Sequence, residues 1–456
     1  MPFIRSISGL RATIDDGLTK EIVAQYSRAF AQFAQSGPIV IGRDGRPSGL
    51  WMEQVIADTL RDCGREVQLL GLAPTPTVQL ITEHSNAGGG ISITASHNPK
   101  EWNGMKFLDE HGVFLDADQN KEFWQIVDAN NLSSTQKDKG SIYHLQDAIP
   151  KHIHAVLQAL HNLGLNNCES GSSLDIVIDA VNASGSVIVP ELVRAFHCNP
   201  IELYCDSSGD FPHTPEPLPE HLTALAEAVK NHKADLGIAV DPDADRLVLI
   251  DEQGIAIGEE KTIALAIMAI GHCANSKHEN TSAVVNLSTS RMSDDIAAKY
   301  SMPTYRSPVG EINVVKAMKQ YNSIIGGEGS GGVILPACHY GRDSLVGIAL
   351  IITLMRTTKK TLSQLSTELA SLTMVKGKLP WQKDTASLFG MLKESFANEA
   401  QLIREDDGIW IDFGSSWLHV RASNTEPIVR YIVESQDAAL NSEILKKVSE
   451  IITSNS

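Results

Sequence analysis

The sequence predicts an α/β protein of several domains: three mixed α/β sheet domains followed by a smaller C-terminal α+β domain. The chain has 456 residues, which at roughly 150 residues per domain is too many for a single hydrophobic core. Apolar runs with the length of buried strands alternate with helical patterns, as in mostly parallel sheets covered on both faces. Only the last part departs from this alternation, because short strands follow one another there before a final helix.

The predicted elements divide the chain into domains at residues 1–150, 151–257, 258–372 and 373–456. Strand and helix patterns recur in each of the first three domains, and a hinge precedes the fourth. The clearest predicted strands are 67–70, 91–93, 174–179, 283–286, 408–412, 417–420 and 428–434. The clearest predicted helices are 50–61, 148–163, 293–300 and 441–453.

The composition indicates a globular protein with a large negative charge. Hydrophobic residues make up 42% and charged residues 20% of the chain, and the formal net charge is -17 at pH 7. This charge argues against nucleic acid or an anionic membrane as a partner, and a site for an anionic ligand must gather its own cations. The cysteines show neither a C-x-x-C pair nor zinc spacing, and the apolar runs are far shorter than a membrane span. We therefore expect a cytoplasmic protein with free thiols.

A serine stands where an early strand becomes a loop. The stretch T-A-S-H-N-P runs from Thr94 to Pro99 and contains Ser96. Its Asn-Pro pair disfavours a helix, so we expect a turn whose backbone N–H groups are free to bind an anion. The alternative is a surface hairpin that happens to contain serine, since adjacent Ser and His side chains rarely form a nucleophile–base pair.

Three aspartates alternate with other residues in a second predicted loop. Asp241, Asp243 and Asp245 lie between the apolar runs L-G-I-A-V and L-V-L-I, which have the pattern of buried strands. Carboxylates this close repel one another unless a cation neutralises them, and oxygen ligands favour Mg²⁺ or Ca²⁺. The loop does not fit an EF-hand, because Arg246 stands where that motif requires glycine and the flanking segments have the pattern of strands and not of helices. A solvated acidic turn is the other alternative.

A third stretch carries several donors suited to phosphate. Within R-A-S-N-T-E-P, the donors are Arg421, Ser423, Asn424 and Thr425, and Arg430 follows on the next predicted strand. A cationic fork with small hydroxyl donors fits a tetrahedral dianion. Because the same residue types also fill ordinary turns between strands, this motif alone leaves both interpretations open.

Together the three stretches resemble the motifs of the α-D-phosphohexomutases, a family that includes phosphoglucomutase, phosphomannomutase and phosphoglucosamine mutase. The resemblance covers nearly the whole chain and keeps the order of the family motifs T-A-S-H-N-P, D-G-D-x-D-R and R-x-S-[NG]-T-E-P. It implies that the three α/β domains share a topology and surround a central cleft with the fourth. It also implies a phosphoserine at Ser96 and Mg²⁺ held by this phosphoserine and by Asp241, Asp243 and Asp245.

The resemblance places four more residues at the reacting groups. Arg11 belongs to a loosely matching N-terminal motif, His97 follows the serine, and Arg246 ends the metal loop. Lys106, in N-G-M-K, is expected to transfer protons. We expect burial beside other cations to lower its pKa, so that it serves as a general base.

Sugar hydroxyls are expected to bind at the loop G-E-G-S-G-G, through Glu328 and Ser330. Many bacterial family members place a histidine directly after this loop as a proton-transfer partner, whereas this chain has Gly332. Either His339 folds back to replace that histidine, or this chain works without it. We favour the second alternative, because a lone histidine is more often structural.

The resemblance implies an isomerase that interconverts hexose 1-phosphate and hexose 6-phosphate through a 1,6-bisphosphate, with a glucose 1,6-bisphosphate-type activator. Glucosamine or glucose phosphate is favoured as substrate, mannose phosphate is possible, and we expect a monomer or homodimer. The rival function is a non-catalytic sugar-phosphate sensor on the same fold, supported only by Gly332. A nucleotide-binding dehydrogenase is set aside because glycines 88–90 lack the G-x-G-x-x-G spacing.

Overall fold

The computed structural model describes residues 3–129, 138–165, 172–273, 281–423 and 427–455. The strands are β1 (Ile4–Ser6), β2 (Gly9–Thr13), β3 (Ile39–Arg43), β4 (Val67–Leu72), β5 (Gly89–Ile93), β6 (Trp102–Leu108), β7 (Ile142–His144), β8 (Asp175–Asp179), β9 (Asn199–Tyr204), β10 (Leu236–Val240), β11 (Leu247–Ile250), β12 (Ala283–Asn286), β13 (Thr304–Ser307), β14 (Ile325–Glu328), β15 (Gly332–Ile334), β16 (Thr373–Pro380), β17 (Leu402–Arg404), β18 (Ile409–Asp412), β19 (Ser416–Ala422) and β20 (Ile428–Ser435). The helices are α1 (Lys20–Phe33), α2 (Ser48–Asp62), α3 (Thr75–His84), α4 (Ala117–Ala129), α5 (Ala148–Asn162), α6 (Gly185–Ala195), α7 (Thr223–His232), α8 (Glu260–Cys273), α9 (Met292–Lys299), α10 (Glu311–Tyr321), α11 (Ser344–Thr358), α12 (Leu362–Thr367), α13 (Thr385–Phe396) and α14 (Ala438–Asn455). Within these ranges, no helix is long and apolar enough to cross a membrane.

Four sheets organise the chain. The first has seven strands in the order β1-β2-β6-β5-β3-β4-β7, the second four in the order β11-β10-β8-β9, and the third four in the order β13-β12-β14-β15. These three sheets are mixed, and the fourth, β16-β20-β19-β18-β17, is antiparallel throughout. The four-domain α/β architecture predicted from the sequence is confirmed.

The first three sheets share one four-strand pattern. In each, a central strand has parallel neighbours on both sides and an antiparallel strand at one end: β4-β3-β5-β6, β9-β8-β10-β11 and β13-β12-β14-β15. The loop before the antiparallel strand carries Ser96 after β5, Asp241 after β10 and Gly329 after β14. Because ligands bind at the carboxyl ends of parallel strands, the same position in each repeat supplies one part of a site.

The packing of side chains joins the first three domains and leaves the fourth with a core of its own. One apolar cluster runs from Val40 through Ile178 to Leu350, whereas Ile411 and Val433 belong to a separate cluster in the fourth domain. A third cluster connects the two parts, because Leu287 packs with Trp410 and Trp417. These contacts hold the small domain against the third domain, beside the loops that carry the predicted site.

Candidate active site

Ser96 is held in a left-handed backbone conformation. Its φ of 51° lies in a region that costs a residue other than glycine roughly 1–2 kcal/mol. The Ser96 N–H donates to Thr94 Oγ1 at 2.8 Å, and Arg46 donates to the carbonyl oxygens of Ser96 and Asn98 at 2.7 and 2.5 Å. Asp44 pairs with Arg46 and accepts a hydrogen bond from Thr94 at 2.6 Å. These contacts hold the strained turn in place and fix the position of the serine hydroxyl.

The aspartate loop of the second domain meets this serine directly. Ser96 Oγ donates to Asp241 Oδ2 at 3.0 Å. Asp241, Asp243 and Asp245 are all buried, and each offers an oxygen within 4.8 Å of the others. Thr75, at the start of α3, positions the middle aspartate, because its hydroxyl donates to Asp243 Oδ2 at 2.6 Å and its N–H to the Asp243 carbonyl at 3.0 Å.

The three carboxylates fit a hard divalent cation. Asp243 Oδ1 and Asp245 Oδ1 are buried without a hydrogen-bond partner among the described residues. Burial, followed by the charges of Asp245 and Asp243, raises the pKa of Asp241 well above its usual range. A cation relieves both this crowding and the unpartnered oxygens, and an all-oxygen donor set favours Mg²⁺. Asp241, Asp243 and Asp245 would therefore hold Mg²⁺ beside Ser96.

Lys106 contacts the same carboxylates. Its Nζ donates to Asp243 Oδ2 at 2.5 Å and lies 3.3 Å from Asp245 Oδ2. Burial by itself would lower the pKa of Lys106, but the charges of Asp243 and Asp245 outweigh it and the pKa is raised. The expectation of a lowered pKa is wrong, because it did not include these two partners. The two carboxylates thus favour the ammonium form of Lys106.

Two arginines surround the histidine next to the serine. His97 Nδ1 lies 3.4 Å from Ser96 Oγ. Burial, followed by the charges of Arg246 and Arg11, lowers the pKa of His97 to about 2, so its ring is neutral. Arg11 donates to Asn98 Oδ1 at 3.2 Å, which ties the N-terminal motif to the serine loop.

A cavity of about 440 Å³ receives side chains from all four domains. The charged and hydroxyl side chains that line it include Arg11, His97, Lys106, Arg246, Glu328, Ser330, Arg342, Lys376 and Arg430. Such a lining suits a small ligand that carries both negative charge and hydroxyl groups. The structure therefore brings most of the predicted site residues to one place.

Arg342 was missed by the sequence analysis and links the metal loop to the sugar loop. It donates to Asp245 Oδ2 at 2.6 Å, to Glu328 Oε2 at 2.7 Å and to Glu311 Oε2 at 3.1 Å. A Cβ atom on Gly332 would lie 2.3 Å from Arg342 Cδ. The arginine thus fills the space that any side chain at position 332 would need. No short motif signals it, because its partners are distant in sequence.

Glu328 is held from three sides, and His339 lies elsewhere. Besides Arg342, Glu328 Oε1 accepts from Asn286 Nδ2 at 2.7 Å and from the Gly310 N–H at 3.1 Å. His339 is buried with its Nε2 3.2 Å from Asp343 Oδ2 and is not among the residues that line the cavity. The structure does not show His339 folding back toward the sugar loop.

The fourth domain presents a row of cations. Arg430 on β20 lies opposite Arg421 on β19 and opposite Lys378 on β16, so the three side chains share one face of the sheet. Arg430 lines the cavity, and Arg421 Nε donates to Asp407 Oδ1 at 2.8 Å. This row is a suitable partner for a phosphate group.

The phosphate motif itself is described only at its start. The Ser423 N–H donates to the Ile428 carbonyl at 3.0 Å, which closes the turn between the two strands. Asn424 and Thr425 lie outside the described residues. Their contact with phosphate stays a prediction.

We expect Arg342→Ala to reduce both activity and stability. The substitution leaves three buried carboxylates without their shared cation, and breaking a buried ion pair costs about 3–5 kcal/mol. Urea unfolding and steady-state kinetics would measure the two effects. Arg194→Ala is a suitable control, because Arg194 pairs with Glu202 on the surface and such pairs contribute about 0–1 kcal/mol. An Arg342→Ala protein as stable and active as this control would contradict the linking role.

The three repeated α/β domains, the fourth domain and the site between them are those expected of a phosphosugar mutase. Comparison with known proteins identifies the family. The chain matches four family models, described as Phosphoglucomutase/phosphomannomutase alpha/beta/alpha domains I, II and III and the C-terminal domain. The matched residues are 4–134, 150–254, 259–372 and 374–451, respectively. The chain belongs to the phosphoglucomutase/phosphomannomutase family, the α-D-phosphohexomutases. It is an isomerase of the intramolecular phosphotransferase type.

Relatives match over nearly their full length. A "Phosphoglucomutase/phosphomannomutase" of Thermococcus kodakarensis is 32% identical over 446 residues, covering 96% of each chain. A "Probable phosphoglucosamine mutase" of Methanopyrus kandleri is 29% identical, over 98% of this chain and 96% of the relative.

The fold is also found in solved structures. A phosphoglucomutase/phosphomannomutase family protein of Burkholderia thailandensis matches with a TM-score of 0.84 at 23% identity, covering 99% of this chain and 98% of that one. The N-acetylphosphoglucosamine mutase of Aspergillus fumigatus, solved with GlcNAc-6P and magnesium, matches with a TM-score of 0.60 at 13% identity, covering 99% and 95%. At these identities, the likeness concerns the fold alone.

Proposed function

We propose that this chain interconverts hexose 1-phosphate and hexose 6-phosphate through a phosphoserine at Ser96 and a hexose 1,6-bisphosphate. The observation that carries the proposal is the contact of Ser96 Oγ with Asp241, within the cluster of three carboxylates. A glucose 1,6-bisphosphate-type activator would load the phosphate onto Ser96 before the first turnover.

The residues around Ser96 suit a phosphoryl group, which carries a charge of about −1.5 to −2 when esterified to serine. Bound Mg²⁺ supplies charge neutralisation as the phosphoryl group transfers. Arg11 and Arg246 add positive charge from the cavity wall. The lowered pKa of His97 means that this ring contributes no positive charge of its own, so the cations at this end of the site are the two arginines.

Proton transfer is assigned to Lys106, working from its ammonium form. When the bond between phosphorus and Ser96 Oγ breaks, Lys106 donates a proton to that oxygen. The attacking sugar hydroxyl then gives its proton to Lys106 as its own bond to phosphorus forms. One proton passes from sugar to serine, the lysine returns to its starting state, and the paired Asp243 and Asp245 stabilise it there.

The phosphate that is not reacting is assigned to the fourth domain. Arg421, Arg430 and Lys378 form one cationic row, and the predicted phosphate motif adds the donors Ser423, Asn424 and Thr425. The bisphosphate must turn around within the cavity so that its other phosphate reaches Ser96. Glu328 and Ser330, which line the cavity, would bind the sugar hydroxyls in both orientations.

Glucosamine phosphate and glucose phosphate are the proposed substrates, and the names of the relatives support this choice. Several are named as probable phosphoglucosamine mutases, and another as phosphoglucomutase/phosphomannomutase. Mannose phosphate also fits, because the polar groups that line the cavity can bind any of the three sugars.

A coupled assay over a panel of hexose 1-phosphates tests the function. With glucose 1,6-bisphosphate as primer, we expect turnover that requires Mg²⁺ and is fastest with glucosamine or glucose 1-phosphate. Intact-mass spectrometry should show one phosphate per chain, lost in Ser96→Ala. A protein that binds hexose phosphates but neither turns them over nor carries phosphate on Ser96 would instead be a sensor, and faster turnover of mannose 1-phosphate would overturn only the choice of sugar.

A further inference from the structure

A second cluster of metal-ligating side chains lies buried outside the central cavity. His152 of α5 meets Cys338, His339 and Asp343, which stand between β15 and α11. One ligand atom from each of the four residues lies within 4.8 Å of the others. The exposed fractions of these residues are 0%, 6%, 2% and 0%. The cluster combines one thiol, two imidazoles and one carboxylate, all of them buried.

Two distances within the cluster are close to those between the ligand atoms of a tetrahedral metal site. Asp343 Oδ2 lies 2.8 Å from His152 Nε2 and 3.2 Å from His339 Nε2. Ligand atoms bound to zinc at its usual bond lengths lie roughly 3.3–3.7 Å apart. To reach that separation from Asp343 Oδ2, His152 Nε2 must move outward by roughly 0.5 Å. The other carboxylate oxygen is held by the Leu345 N–H at 2.8 Å, which fixes the orientation of Asp343.

One further observation is consistent with a bound ion. Thr77 Oγ1 lies 2.9 Å from His152 Nδ1 and orients the ring, as outer partners do for metal-bound histidines.

An entry path exists on the side of the thiol. A cavity of about 590 Å³ reaches Cys338, and its wall includes His84, Asp147 and His154. Polar side chains along such a path can exchange with the water ligands of an entering ion. This cavity is separate from the central cavity, since the two have no lining residue in common.

We propose that His152, Cys338, His339 and Asp343 bind one zinc ion with a structural role. A mixed sulfur, nitrogen and oxygen donor set selects zinc over magnesium, whereas the three aspartates near Ser96 select the reverse. Zinc binding forms the bond to Cys338 Sγ and releases the thiol proton to solvent.

The position of the site explains what the ion would do. Cys338, His339 and Asp343 come from the third domain, His152 lies on the first helix of the second, and the outer partner Thr77 lies on α3 of the first. The ion would join these domains through side chains that take no part in phosphoryl transfer. It would therefore stabilise the arrangement of the catalytic loops without contacting the substrate.

Cobalt substitution tests the site on the full chain. Protein reduced and freed of metal by a chelator would be titrated anaerobically with Co²⁺ in excess Mg²⁺, which keeps the three-aspartate site filled. We expect a thiolate-to-cobalt charge-transfer band and the visible bands of tetrahedral Co²⁺ at one ion per chain. Zinc should displace the cobalt and raise the thermal unfolding midpoint by several degrees, since it binds the folded state.

Two cysteine variants separate this site from adventitious binding. Cys338→Ser is nearly isosteric and should lose the charge-transfer band and the zinc-dependent shift in unfolding. Cys63→Ser, which changes a free half-buried thiol at the end of α2, should keep both. No charge-transfer band in the parent protein, or a band that survives in Cys338→Ser, would overturn the proposal and would leave the proposed mutase function untouched.

Discussion

Ser96→Ala is expected to abolish mutase turnover, lowering kcat by roughly 10⁴-fold or more, as removal of a catalytic nucleophile does in other enzymes. The hydroxyl oxygen is the only non-hydrogen atom that this substitution removes, and the Cβ atom stays in the same turn as a methyl group. The backbone contacts of Thr94 and Arg46 to residue 96 involve main-chain atoms and remain possible. Loss of activity would therefore report on the hydroxyl and not on the loop.

Initial rates with glucosamine 1-phosphate and glucose 1-phosphate, together with intact-mass measurement of bound phosphate, would check this result. Ser27→Ala provides the matched control, because Ser27 is a buried serine of α1 that donates to the Val23 carbonyl at 2.7 Å. This control should keep full activity and its phosphate. If Ser96→Ala turned over substrate at the parental rate, the phosphoserine mechanism would be wrong.

Asp243→Asn is expected to lower turnover on the order of 10³-fold, which corresponds to several kcal/mol of charge stabilisation by the metal ion. The amide preserves the size of the side chain and can still accept the hydrogen bond from Thr75. It removes the negative charge of residue 243, which both binds the metal ion and pairs with Lys106. Two effects on activity coincide here: weaker Mg²⁺ binding and a less stabilised lysine ammonium group.

Titration of activity with Mg²⁺ separates these effects. A weakened metal site moves the Mg²⁺ concentration for half-maximal rate upward, whereas a change in Lys106 alters the pH profile at saturating Mg²⁺. Asp251→Asn is the control, since Asp251 is a buried aspartate that accepts from the Ile255 N–H at 2.9 Å in the turn after β11. A variant at position 243 with parental rate and parental Mg²⁺ dependence would refute the metal assignment.

Local chemistry explains why much of the architecture and the centre of the site could be predicted. The predicted strand 283–286 has the same bounds as β12, whose three apolar residues and Asn286 are all buried. The crowding of Asp241, Asp243 and Asp245 is a property of the sequence itself. The helix α14 begins at Ala438 and not at the predicted 441, since Asp437 accepts from the Ala439 N–H at 2.8 Å and caps it.

Long-range pairing explains what could not be predicted. Arg342 meets Asp245 across 97 positions, and no spacing rule connects them. The raised pKa of Lys106 follows from partners more than a hundred residues away. Arg46 pairs with its near neighbour Asp44, but its contacts with the carbonyls of the serine loop depend on a turn whose shape the sequence does not reveal.

The equivalent placement of three loops in three repeats has a consequence for how such a site can change. Each repeat contributes a single component: the carrier of the reactive group, the ion ligands or the sugar contacts. One repeat alone supplies no complete catalyst, so activity requires all three repeats held in a fixed arrangement. Substitutions confined to one loop can then change one component while the other two loops and the shared strand pattern stay as they are.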